Sequence, residues 1–177
     1  MVYRGVGPVG IAALLTAQFF SPSEIIQIDV DPNRLEVAKQ FGATKVVDNS
    51  DGNAVAKVME LTGGRGVDVA IEAIGIPATF DVCQDIVTAG GHIANIGVHG
   101  TPVSLKLDKL WAQNITITAS LVDTRTTPQL LTTVKSGALN AGQLVTHHFK
   151  LSETMEAYDV FGNAAKEKAL KVIMTAE

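Results

Sequence analysis

Three glycines carry the first chemical signal in this sequence. Gly5-Val6-Gly7-Pro8-Val9-Gly10 has the spacing G-x-G-x-x-G and stands between a short strand candidate, Val2–Arg4, and an apolar stretch opened by Pro8. In that setting Gly5 permits a tight turn, Gly7 lets backbone approach a pyrophosphate, and Gly10 lets the helix pack closely on the strand. The phosphates would rest on the helix N-terminus, where unpaired N–H groups and the positive end of the helix dipole stabilise an anion. A glycine-rich turn that merely joins strand to helix has the same composition. The second signal is Ile25-Ile26-Gln27-Ile28-Asp29, which ends in a carboxylate nineteen residues past Gly10. That is the spacing of an acid that accepts hydrogen bonds from an adenosine ribose. Its charge repels the 2′-phosphate of NADP and suits the free hydroxyls of NAD, so NAD is the expected cofactor. Asp29 and Asp31 are also candidates to cap the helix beginning at Pro32, and Asp31 suits that task better because proline then fills the first helical position. Arg34, in the same first turn, is placed either beside the ribose or in solvent.

Further along, Glu72-Ala73-Ile74-Gly75 and Gly90-Gly91-His92-Ile93-Ala94-Asn95-Ile96-Gly97-Val98 put Gly75 and Gly97 at the carboxyl ends of two more strand candidates. Open α/β sheets bind ligands at that edge, which makes both glycines candidates for close approach to the nicotinamide half. Side chains suited to a metal are few. Cys83 falls in a helix and reads as a buried apolar residue. His147 and His148 are neighbours, and on a strand they face apart. His92 and His99 have no metal-ligand partner at a useful spacing. No catalytic residue and no metal site are expected within these residues.

The elements that must position these groups alternate. Strand candidates lie at Val2–Arg4, Ile25–Val30, Lys45–Val47, Val67–Ala73, His92–Ile96 and Ile115–Val122, with helices at Val9–Phe20, Pro32–Phe41, Asn53–Leu61 and Ala78–Thr88. Short apolar strands alternating with helices predict an α/β fold, a Rossmann-type doubly wound parallel sheet. After about Asp123 the rhythm changes to helices at Thr127–Val134 and Ser152–Phe161 and a closing strand at Leu170–Met174, so residues 1–122 and 123–177 are read as two segments. The chain has 177 residues, 46% of them hydrophobic and 18% charged, with a net charge of −4 and a single cysteine. No basic cluster marks a nucleic-acid binder, and no apolar run reaches the ~20 residues of a membrane helix. The opening MVYRG leaves no room for a leader, and one cysteine excludes an internal disulfide framework; both favour the cytoplasm.

Taken in order, GVGPVG, IDVDPNRLEVAKQFGAT, TGGRGVDVAIEAIG and AGGHIANIGVHG resemble the cofactor-binding half of medium-chain, zinc-dependent alcohol dehydrogenases. The resemblance runs through Leu110–Thr118 and into Leu144–Phe149 and Ala169–Met174. It implies that the Val9 N–H meets the pyrophosphate, that Asp29 holds the adenosine ribose with Arg34 as a basic contact, and that Ala73, Ile74 and Gly75 line the cofactor groove. It implies further that Ile96, Val98, Ser120 and Val122 border the nicotinamide, that Lys171 reaches toward the pyrophosphate, and that the tail packs on a catalytic lobe. That lobe, which in the family supplies the ligands of a catalytic zinc, has no counterpart here, so zinc is expected only in a full-length enzyme. The family's dimers join through the edge strand, which points to a homo-oligomer through Ile115–Val122. The function implied is the NAD(H)-binding part of an oxidoreductase that transfers a hydride between an alcohol and its aldehyde or ketone. Two other readings stand beside it: a free-standing NAD-binding or redox-sensing module without turnover, and an S-adenosylmethionine-binding methyltransferase.

Overall fold

Runs of β-branched residues become strands, buried at the centre of the sheet and exposed at β6, and three of the stretches opened by proline become helices. The computed structural model describes residues 1–121 and 124–176. Contacts divide the chain into two units, Met1–Leu121 and Val122–Glu177. In the first, the order is β1 (Val2–Arg4), α1 (Pro8–Ala17), β2 (Ile26–Asp29), α2 (Pro32–Gln40), β3 (Lys45–Asp48), α3 (Ala54–Leu61), β4 (Val67–Glu72), α4 (Pro77–Ile86), β5 (Val87–Asn95), α5 (Leu107–Leu110) and β6 (Thr116–Ala119). Proline opens α1, α2 and α4, where its fixed φ suits the first turn and its missing N–H costs nothing.

All six strands run parallel in the order β3-β2-β1-β4-β5-β6. This is the doubly wound Rossmann order, and the direction of winding reverses between β1 and β4. Val2, Ile26, Ile28, Val47, Ala70 and Ile93 form the middle of the core, with Ala54 and Val58 of α3 and Phe80, Cys83 and Ile86 of α4 packed around them. Each large aliphatic side chain so buried contributes about 1.5–3 kcal/mol. The parallel sheet thus has a fixed register, and the loops leaving its carboxyl ends share one edge.

Among the boundaries that differ from those the sequence suggests, two concern β5 and β6. Val87 and Thr88 are not the end of a helix: α4 stops at Ile86, and Val87 opens β5 by pairing with Val67. Pairing then resumes at His92 opposite Val69, so Thr88–Gly91 bulge out of the ladder, with Gly90 at φ +76° in the left-handed region that favours glycine. Two adjacent β-branched residues beside an open strand edge favour the ladder over another helical turn. At the other edge, β6 covers only Thr116–Ala119 of the expected Ile115–Val122, because its partner β5 ends at Asn95, opposite Ala119. Val122 lies outside the described residues.

The second unit contains α6 (Thr127–Lys135), β7 (Val145–Lys150), α7 (Thr154–Gly162), α8 (Ala164–Glu167) and β8 (Lys171–Thr175). β7 and β8 pair in parallel, α7 packs against both, and Ala157, Ala169 and Leu170 are buried. Among the described residues no helix is long and apolar enough to cross a membrane.

Candidate functional site

Five loops leave the carboxyl ends of β1, β2, β4, β5 and β6, and they carry most of the residues singled out above. After β1, Gly5 turns with φ +97°, and its N–H donates to the Ile28 carbonyl at 3.1 Å. A Cβ on Gly5 would stand 2.6 Å from Ile74 Cγ1, so the first loop tucks beneath the loop that follows β4. A Cβ on Gly10 would strike the Gly5 carbonyl oxygen. The glycine therefore lets α1 close on its own entry turn, where the sequence suggested close packing on the strand. Gly7 is different: its backbone is extended, and a Cβ there meets no atom within 4 Å. No side chain caps α1, and its first turn carries no acid. Pro8 supplies no N–H, and Val9, 53% exposed, begins the outer rim. An uncapped helix end facing open volume is the arrangement that receives an anion.

Asp29, at the end of β2, is buried and engaged with main chain. Its Oδ2 accepts the Val6 N–H at 2.8 Å, and its Oδ1 accepts the N–H groups of Val30 at 2.8 Å and Asp31 at 3.1 Å. The carboxylate thus ties the glycine loop to the end of β2. Asp31 is the cap of α2, with Oδ1 accepting from Asn33 and Arg34 N–H at 2.8 and 3.2 Å. Arg34 sits half-buried in that first turn.

Beyond the reversal, the loops after β4 and β5 are packed main chain against main chain. A Cβ on Gly75 would collide with the backbone of Val98, and one on Gly97 would collide with Glu72 Oε2 and the Gly75 nitrogen. Ala73 and Ile96 are half-buried, while Ile74 and Val98, 45% and 74% exposed, present apolar surface at the edge. Ser120 follows β6, its N–H reaching the Asn95 carbonyl at 3.3 Å. Lys171 opens β8 in the second unit, opposite Val145, with its side chain exposed.

The sequence reading missed the polar cluster beneath these loops. Glu72 has no solvent exposure and is hydrogen-bonded throughout, and His99 lies beside it. The only sequence signal was a carboxylate ending an apolar strand. Farther along the connection from β5, Gln84 of α4 donates from Nε2 to the Ser104 carbonyl at 3.0 Å and accepts the Lys106 N–H at 2.8 Å. Lys106 Nζ also bridges Asp81 and Asp85 at 2.8 and 2.7 Å.

The remaining candidates for metal chemistry are dispersed. Cys83 is buried in α4, His92 is on β5, and His147 and His148 occupy successive positions of β7. Among the described residues no group of three or more His, Cys, Asp or Glu side chains converges to hold a metal ion.

Comparison with known proteins agrees with this fold. An alcohol dehydrogenase of Cupriavidus necator is 34% identical over 173 residues, covering 94% of this chain and 46% of its own length. A solved zinc dependent alcohol dehydrogenase 2 from Streptococcus pneumonia is 56% identical with a TM-score of 0.93, over 99% of this chain and 51% of that one. The alcohol dehydrogenase TADH from Thermus sp. ATN1 is 30% identical with a TM-score of 0.90, over 99% and 50%. The chain thus spans about half the length of the relatives it matches. With its parallel sheet in Rossmann order, its glycine turn and a match to the zinc-binding dehydrogenase pattern over residues 8–136, the chain belongs to the zinc-binding dehydrogenase family.

Proposed function

We propose that this chain binds NAD(H) and is the cofactor-binding half of a zinc-dependent alcohol dehydrogenase. The observation that carries this reading is the β1–α1 turn, where an uncapped helix N-terminus faces open volume above Gly7. The residues present fit the group. N–H groups of the first turn, Val9 among them, would hold the pyrophosphate; Asp29, with Arg34 nearby in sequence, would hold the adenosine ribose. Ala73, Ile74, Gly75, Ile96, Gly97, Val98 and Ser120 would border the nicotinamide. When bound, the cofactor supplies a hydride acceptor for an alcohol or a donor for its aldehyde or ketone. The chain's part is to hold the ring and keep water from it.

Zinc does not fit the described residues of this chain. His99 is committed to Asn95 and Glu72, Cys83 is enclosed by the core, and a catalytic zinc needs about three convergent ligands. Activation of the alcohol oxygen belongs to other parts of a full-length enzyme, and a cytoplasmic setting goes with that reading.

The test is titration with NADH and NADPH, followed by cofactor fluorescence. NADH should bind at least about tenfold tighter than NADPH. Failure to bind NADH, or its displacement by S-adenosylmethionine, overturns the reading.

A further inference from the structure

Glu72 joins both loops assigned to the nicotinamide half. Its main-chain carbonyl accepts the N–H groups of Ile96 at 2.9 Å and Gly97 at 3.0 Å, from the loop after β5. Its carboxylate serves the loop after β4: Oε1 accepts the N–H groups of Ile74 and Gly75, both at 2.9 Å, and the Thr79 hydroxyl at 2.6 Å. Oε2 accepts Gly75 N–H at 3.1 Å and lies 3.4 Å from His99 Nε2. His99 Nε2 is also 2.8 Å from Asn95 Oδ1, while Asn95 Nδ2 donates to the Gly97 carbonyl at 3.0 Å. Both partners of Nε2 are acceptors, which assigns its proton to that nitrogen. The Phe80 ring meets the His99 ring edge-on, with centroids 6.0 Å apart.

A carboxylate taken wholly out of water is costly, and well-packed apolar residues often stabilise such a site as well or better. What an apolar side chain cannot do is fix the relative height of two loops through directed bonds. The ring of contacts from Glu72 through His99 and Asn95 to Gly97 encloses the turn Ile96–Val98, and the Gly75–Val98 contact sets that turn directly against the other wall.

We propose that Glu72 and His99 are positioning residues for the nicotinamide half of the cofactor: together they hold Ile96–Val98 against Ala73–Gly75, so that the slot for the ring exists before the cofactor arrives. This rests on the dinucleotide reading above. His99 acts through the loops, whereas the adenosine half would rest on the turn after β1 and on Asp29.

The experiment compares two probes on the full chain, NADH and ADP-ribose, which has the adenosine and pyrophosphate but no nicotinamide. In His99→Ala, NADH affinity should fall about tenfold, the loss of the hydrogen bond to Asn95 and of the contact with Glu72, while ADP-ribose affinity stays within about twofold. His99→Gln, whose amide N–H can serve the same acceptors, should recover most of the NADH affinity. Should His99→Ala not fold, Asn95→Ala removes the other partner of Nε2 and should give the same split. Equal weakening of both probes in a folded variant, or no change in either, overturns the positioning role. If the unaltered chain binds neither probe, the dinucleotide reading fails and this proposal with it; if it binds both and the split is absent, only the positioning role fails.

Discussion

Gly10 stands so close to the carbonyl oxygen of Gly5 that no side-chain carbon fits between them, whereas Gly7, between the two in sequence, borders open volume. The glycines of one motif therefore do different work. Gly10→Ala should destabilise the fold by about 3 kcal/mol or more, because backbone must move. Gly7→Val should cost the fold no more than about 1 kcal/mol, since extended backbone accepts valine. The same change should lower NADH affinity at least about a hundredfold by filling the space reserved for the pyrophosphate. Denaturant unfolding and NADH titration of both variants check this; a Gly7→Val protein that still binds NADH shows the loop to be only a turn.

Asp29 requires a ratio rather than a single affinity. Asp29→Ala releases the buried Val6 N–H along with those of Val30 and Asp31, and should cost about 2 kcal/mol in stability. Loosening the loop in this way lowers affinity for any dinucleotide. A contact with the ribose hydroxyls makes a further demand: the preference for NADH over NADPH should shrink about tenfold. A preference unchanged while both affinities fall assigns Asp29 to the loop alone. Asp31→Ala is the companion variant, with about 1 kcal/mol lost from the cap of α2 and the preference between the two cofactors intact.

Most of the candidate site could be located in the sequence because it is made of backbone. Strand-to-helix turns with glycine, a carboxylate at a set distance and proline at helix starts all leave marks in sequence, and β1–β4 and α1–α3 formed within a residue or so of the expected positions, α1 giving way to a 3-10 turn at Gln18–Phe20. What escaped depends on partners distant in the chain. Val87 joined a strand because Val67 lay beside it, and Glu72 became the centre of a buried cluster because His99 returned to it from the far end of β5. One-turn helices such as α5 and α8 have too few residues for a helical period to show.

β6 is the outer strand of the sheet, and all four of its residues are exposed. Its unpaired edge can add a strand from a second copy, so the chain should dimerise at high concentration. Thr118→Pro removes a donor in the middle of β6 and should yield a monomer by light scattering, with circular dichroism verifying the fold. A monomer at all concentrations in the unaltered chain rejects the edge as an interface.

These 177 residues alone should bind the cofactor without oxidising alcohols, because no metal-holding group is assembled among the described residues to stabilise the alkoxide. NADH formation from NAD with a panel of primary and secondary alcohols, with zinc added, measures this. Turnover that a chelator abolishes would mean that a metal site exists in this chain.

The amide of Gln84 has the donor and acceptor of a peptide group, and it meets Ser104 and Lys106 as a neighbouring strand would. The connection leaving β5 is thereby anchored at its distal end as firmly as Glu72 anchors its start. Between these anchors Gly100, Thr101 and Pro102 are exposed while Val103 packs on the core, so a bound ligand has few residues left to order, at about 1–2 kcal/mol of entropy each. Hydrogen exchange should read this directly: slow at the Lys106 amide whether or not cofactor is present, and fast at Gly100 and Thr101 until it is.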